Sequence, residues 1–145
     1  MTQQTQQMQK AQQTVTGTFT VGSWDEKEVT DAARSPRLAH AAVVNTFTGG
    51  IEARDTACEY ALVYVGETRG VFSGMEVLTG SVEGREGSFA LRHSGSFDDS
   101  GTISCTFEVV PGSATGDLAG LVGTGSYETR PGDQSVPVTF TYELG

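Results

Sequence analysis

Apolar and polar residues alternate with a period of two along most of this chain, and glycines break the alternation at short intervals. From Ala57 one face carries Ala57, Glu59, Ala61, Val63 and Val65, and the other Cys58, Tyr60, Leu62 and Tyr64. Phe89, Leu91 and His93 oppose Ser88, Ala90 and Arg92, and Ile103, Cys105, Phe107 and Val109 oppose Ser104, Thr106 and Glu108. This pattern predicts eight strands, over 14–24, 38–49, 52–66, 70–82, 87–97, 102–111, 120–129 and 135–143. No segment has helical periodicity of useful length; single turns fit Asp31–Arg34, before Ser35-Pro36, and 112–119.

An even number of antiparallel strands joined by tight turns closes naturally, because closure removes exposed edges. The expected fold is an all-β, eight-stranded antiparallel closed barrel, with a β-sandwich as the runner-up. A barrel of this size is either filled by its own side chains or holds one small ligand. The strand from Ala57 is apolar on both faces, so it is either covered twice or lines a cavity, and an outward Tyr60, Leu62 and Tyr64 would suit a homodimer contact. Small residues such as Ala61, Gly74 and Ala90 leave room beside the aromatics.

Composition narrows the function classes. The 145 residues form one domain, expected over 14–145, preceded by a Gln/Thr-rich tail over 1–13 that lacks any periodicity. That opening has no apolar core of a secretory signal, which points to the cytoplasm, and no apolar run approaches a membrane helix in length. Lys plus Arg total 9 against 18 Asp plus Glu, a net charge of −9 that disfavours phosphate backbones and anionic lipid. Nucleic-acid and membrane partners are therefore not expected; a small apolar molecule and a second copy of the chain are. Cys58 and Cys105 are far apart and read as reduced core residues, and His40 and His93 are isolated, so spacing suggests neither a metal nor another cofactor.

The runs Gly17-Thr-Phe-Thr-Val-Gly-Ser-Trp24, Gly74-Met-Glu-Val-Leu-Thr-Gly80, Gly87-Ser-Phe-Ala-Leu-Arg-His-Ser-Gly-Ser-Phe-Asp-Asp99 and Val110-Pro-Gly-Ser-Ala-Thr-Gly-Asp-Leu-Ala-Gly120 carry a resemblance. Over about residues 15–144 the chain resembles a bacterial family catalogued as domain of unknown function 3224. The resemblance implies an eight-stranded antiparallel barrel similar to allene oxide cyclase, a structural group that includes cyclases acting on reactive intermediates in an apolar interior. No catalytic motif of those cyclases maps onto residues of this chain.

Candidate chemistry rests on polar residues placed in apolar strands. Glu59 interrupts an apolar face and Glu76 lies within Phe72-Ser-Gly-Met-Glu-Val-Leu78. A carboxylate among apolar walls loses solvation and becomes a general base at neutral pH; one that points outward, or pairs with Arg54 or Arg92, does not. His93 shares the apolar face of Phe89 and Leu91, as a core residue or as an acid–base partner on the adjacent strand, with Tyr142 as another proton donor. His40 is a weaker candidate in Leu38-Ala-His-Ala-Ala. Trp24, Phe72, Phe107 and Tyr142, with His40, are the expected ligand-contacting set, although aromatics serve packing equally well. Gly80–Gly87 reads as a hairpin and Asp98–Gly101 as a turn; neither has the context of a phosphate cradle or a calcium loop.

Three readings follow. The first is a barrel that binds a small apolar molecule. The second is a cyclase or isomerase working on a polyketide- or lipid-derived metabolite through Glu59 or Glu76 with His93. The third is a filled structural or stress-related barrel without a site.

Overall fold

The computed structural model describes residues 12–144. Nine strands run in sequence: β1 Gln13–Glu28, β2 Arg37–Gly49, β3 Ile51–Ala53, β4 Ala57–Tyr64, β5 Gly70–Val82, β6 Arg85–Phe97, β7 Ile103–Val109, β8 Leu121–Thr129 and β9 Val136–Leu144. Every pairing is antiparallel, in the order β1-β9-β8-β7-β6-β5, and β2 closes the ring by pairing with β1. Between β5 and β2 lie both β3 and β4, each paired on both sides. The sheet is a closed eight-stranded antiparallel barrel with one strand position divided in two, not a sandwich. The tail expected over 1–13 falls outside the described residues except for Gln12 and Gln13, and Gln13 already pairs with Tyr142 in β1.

Two irregularities set which side chains face inward. The expected strand 52–66 is interrupted at Arg54–Thr56, where three residues oppose the two of β5, Leu78 and Thr79. Asp55 takes a left-handed conformation there (φ 54°), the inward phase passes from Ala53 to Cys58, and Thr56 turns into the interior. The second is a bulge in β1 between Val21 and Ser23. Before it, Phe19 and Val21 stand opposite the inward positions Phe47 and Asn45; after it, Trp24 and Glu26 stand opposite Val43 and Ala41. A strict period of two would have put Trp24 on the outer surface.

On β4 the buried residues are Cys58, Tyr60 and Leu62, while Ala57, Glu59 and Ala61 are exposed. This corrects the expectation that Tyr60, Leu62 and Tyr64 offer an outward contact face. Both faces of β4 are apolar, so its orientation is decided by its neighbours. Tyr60 lies opposite Gly74, where a side chain on the glycine would overlap the tyrosine ring. Phe72 over Gly95 and Phe107 over Gly125 repeat the arrangement across other strand pairs. The room beside Gly74 is thus filled by Tyr60, and Ala61 lies on the outer face.

The interior divides into two apolar clusters. One contains Phe19, Phe47, Leu78, Phe89, Leu91, Phe107, Val109, Phe140 and Tyr142 among others. It also holds Leu118, fully buried, from the 3-10 turn Gly116–Leu118 inside the expected 112–119 connection. The other contains Ala39, Ala41, Val43, Cys58, Tyr60, Leu62, Phe72 and Cys105.

Candidate functional site

Between the two clusters runs a belt of buried polar side chains, one from each of four positions around the wall: Asn45 on β2, Thr56 at the β3–β4 break, Glu76 on β5 and His93 on β6. Asn45, Glu76 and His93 occupy inward positions on otherwise apolar strand faces, and Thr56 turns inward at the break between β3 and β4. Glu76 is the centre. Its Oε1 accepts from His93 Nε2 (2.8 Å), and its Oε2 accepts from Thr56 Oγ1 (2.6 Å) and Asn45 Nδ2 (3.0 Å). Three donors converging on two oxygens suit the ionised, acceptor-only carboxylate. His93 Nδ1 lies 3.7 Å from Cys105 Sγ.

Burial alone would lower the pKa of His93, but its contacts with Cys105 and Glu76, together with the charge of Glu76, outweigh that and raise it to about 9. The imidazole is thus a cation at neutral pH, facing a carboxylate in a site that is 2% exposed or less. Burial, followed by the charge of Glu76, pushes the Cys58 thiol up to about 12, so it keeps its proton.

Above the belt the barrel opens into a cavity of ≈ 260 Å³. Its walls include Phe19, Val43, Tyr60, Leu62, Phe72 and Tyr127, with Trp24 and Asp98 among its more exposed lining. Asn45 is the one belt member in the lining. Tyr60 and Tyr127 hold their hydroxyls 3.5 Å apart, and desolvation keeps both in the phenol form well beyond neutral pH. Near Trp24, Glu26 accepts from Trp24 Nε1 (3.0 Å) and from the Tyr64 hydroxyl (2.6 Å).

A family model described as "Protein of unknown function (DUF3224)" matches residues 15–142. The chain belongs to the DUF3224 family. It is similar to a DUF3224 protein of unknown function from Shewanella oneidensis MR-1, whose crystal structure was solved at 1.84 Å resolution. The two share 27% identity with a TM-score of 0.73, over 93% of this chain and 99% of that one. No curated protein matches the sequence.

In this DUF3224 barrel the residues singled out from sequence separate into three groups. Glu76 and His93 meet in the belt. Trp24 and Phe72 line the cavity. The remaining four lie elsewhere: Glu59 and His40 face outward and pair with each other on the surface (2.8 Å), which removes the desolvation argument for Glu59 as a base. Phe107 packs on His93 and Phe140, and Tyr142 stacks on Phe140 and donates to Glu83, both within the filled cluster and outside the cavity lining. Asn45 and Thr56 were not singled out. Asn45 had a signal, since it shares the parity of Ala39, Ala41, Val43 and Phe47; Thr56 had none, because the break that turns it inward is invisible in the alternation.

Spacing along the chain suggested no metal site, yet folding brings ligand atoms of Cys58, Glu76 and His93 within 4.8 Å of one another. The fit to a metal is poor. The His93 nitrogen and Glu76 oxygen that face each other are already joined by a hydrogen bond, which a metal ion would have to displace. Among the described residues no helix is long and apolar enough to cross a membrane.

Proposed function

We propose that this DUF3224 protein binds one small apolar molecule in the open half of its barrel. The observation that carries the reading is the ≈ 260 Å³ cavity, walled by aromatic and aliphatic side chains and ending on a polar belt. It lies just below the usual range for drug-sized ligands, so the occupant is compact. A barrel filled throughout is at odds with that volume.

A cyclase or isomerase reading has one observation in its favour, the buried Glu76–His93 pair beneath the cavity. Neither residue lines the cavity, and Glu76 already accepts three hydrogen bonds. A bound molecule meets Asn45 and the two tyrosine hydroxyls first, and binding is therefore the better supported function.

Trp24 is the only tryptophan and lines the cavity, so its emission reports occupancy. Titration with neutral naphthalene derivatives should give a saturable one-to-one change in emission, abolished by Val43→Trp with a reference set to the altered signal or by Leu62→Phe, which fill the space. No saturable change up to the solubility limit overturns the reading. Proton abstraction from a nitrobenzisoxazole probe that is saturable and lost in Glu76→Gln would move the assignment to the enzyme.

A further inference from the structure

We infer that the ligand is a neutral hydrogen-bond donor on an apolar frame, a phenol, an alcohol or an N–H heteroaromatic, read by Asn45 Oδ1. The inference rests on the cavity reading above and adds to it the chemistry of the occupant.

Asn45 is 2% exposed, and its Oδ1 has no hydrogen-bond partner among the described residues. An orphaned buried acceptor is uncommon, because leaving one unpaired is costly. The amide cannot exchange its ends to escape. Glu76 Oε2 already accepts from Thr56 Oγ1 and offers only acceptor character, so the amide must present its N–H2 to the carboxylate (3.0 Å). Glu76 thereby fixes the orientation of Asn45, a residue of the cavity wall, and leaves its acceptor end unpaired.

The other polar groups of the lining do not supply this selectivity. The hydroxyls of Tyr60, Tyr127, Thr68 and Thr129 donate or accept as needed, and the Asp98 carboxylate is exposed and already accepts from Ser100 and Thr102. Asn45 Oδ1 only accepts. Among the described residues the lining contains no Lys, Arg or His, and Arg37, whose guanidinium lies on the Tyr64 ring, is paired with Glu28 (2.6 Å). An anionic ligand such as a fatty acid finds no cation in the lining and meets Asp98 there, on a protein of net charge −9. A ligand that has only acceptors sets one against Asn45 or leaves it dry.

The test compares near-isosteres on the full-length wild-type protein by Trp24 emission and calorimetry: indole with benzofuran, and 2-naphthol with 2-methylnaphthalene, with 2-naphthoate as the anionic competitor. Indole and 2-naphthol should bind roughly tenfold or more tightly than their partners, and naphthoate should not compete. In a cavity without a polar reader the order reverses, because the donorless members are the more apolar. Equal affinities, the reversed order, or tight naphthoate binding overturn the inference and leave the cavity reading intact. If none of the neutral compounds binds, both fall. In Asn45→Leu, checked for native circular dichroism, the donor preference should vanish; a retained preference overturns the assignment to Asn45. If that variant does not fold, the wild-type pairs decide alone.

Discussion

Two glutamates of this chain look alike along the sequence and behave as opposites in the fold. Glu59 pairs with His40 on the surface, with 71% and 46% of their side chains exposed, and exposed pairs of this kind contribute under about 1 kcal/mol. Glu59→Gln should therefore shift urea-unfolding stability by less than about 1 kcal/mol and leave Trp24 titrations unchanged. Glu76→Gln removes the anion opposite a buried cation and should cost about 3–5 kcal/mol in the same experiment. His93 also predicts a pH profile. Its folded pKa of about 9 exceeds the unfolded value of 6.5, so its contribution is fully present below about 6.5 and is lost as pH rises through about 9. Unfolding free energy measured between pH 6 and pH 9.5 should fall by on the order of 2–3 kcal/mol, a drop that Glu76→Gln flattens. Glu76 and His93 were legible because each is a polar residue at an inward position of an apolar run. Glu59 was not distinguishable from them, since β4 is apolar on both faces and only Gly74, on the neighbouring strand, selects the face that carries Tyr60.

At the level of the strand, the eight positions of the barrel could be read from alternation and glycine punctuation, whereas the two places where the alternation slips could not. A bulge is defined by its partner strand, and nothing in Val21-Gly22-Ser23 announces that Asn45 and Val44 oppose Val21 and Ser23. Deleting Gly22 should remove the bulge and keep Trp24 inward opposite Val43, because Val21, Ser23 and Trp24 then alternate without interruption. The variant is expected to keep an emission that responds to the same ligands as the wild type; red-shifted, unresponsive emission would mean that the bulge itself is needed to seat the indole. The glycines that face aromatic rings are the complementary device, each making space on one strand for a ring on the next. Gly95→Ala would press a methyl group into Phe72 and should destabilise the fold by about 1–3 kcal/mol in chemical denaturation.

Across the whole molecule, the polar belt separates a filled half from an open one, and the two should respond differently to a ligand. At about 100 times its Kd a ligand specific for the native state raises stability by about 2.7 kcal/mol. A thermal shift of a few degrees should accompany it, with new amide protection concentrated on β1, β2 and β4 around Val43 and Tyr60 and little change around Phe89 and Phe140. Uniform protection would mean that the occupant sits elsewhere. The seam that closes the barrel has a consequence for how the chain is made. Thr14 and Thr141, whose hydroxyls lie 2.9 Å apart, are separated by 127 positions. As the chain leaves the ribosome, β1 can acquire β2 as a neighbour early, but its other edge stays bare until β9 emerges. Until β9 emerges the nascent barrel is an open sheet with sticky margins, and the interval before that strand arrives is when it most needs protection from its own kind.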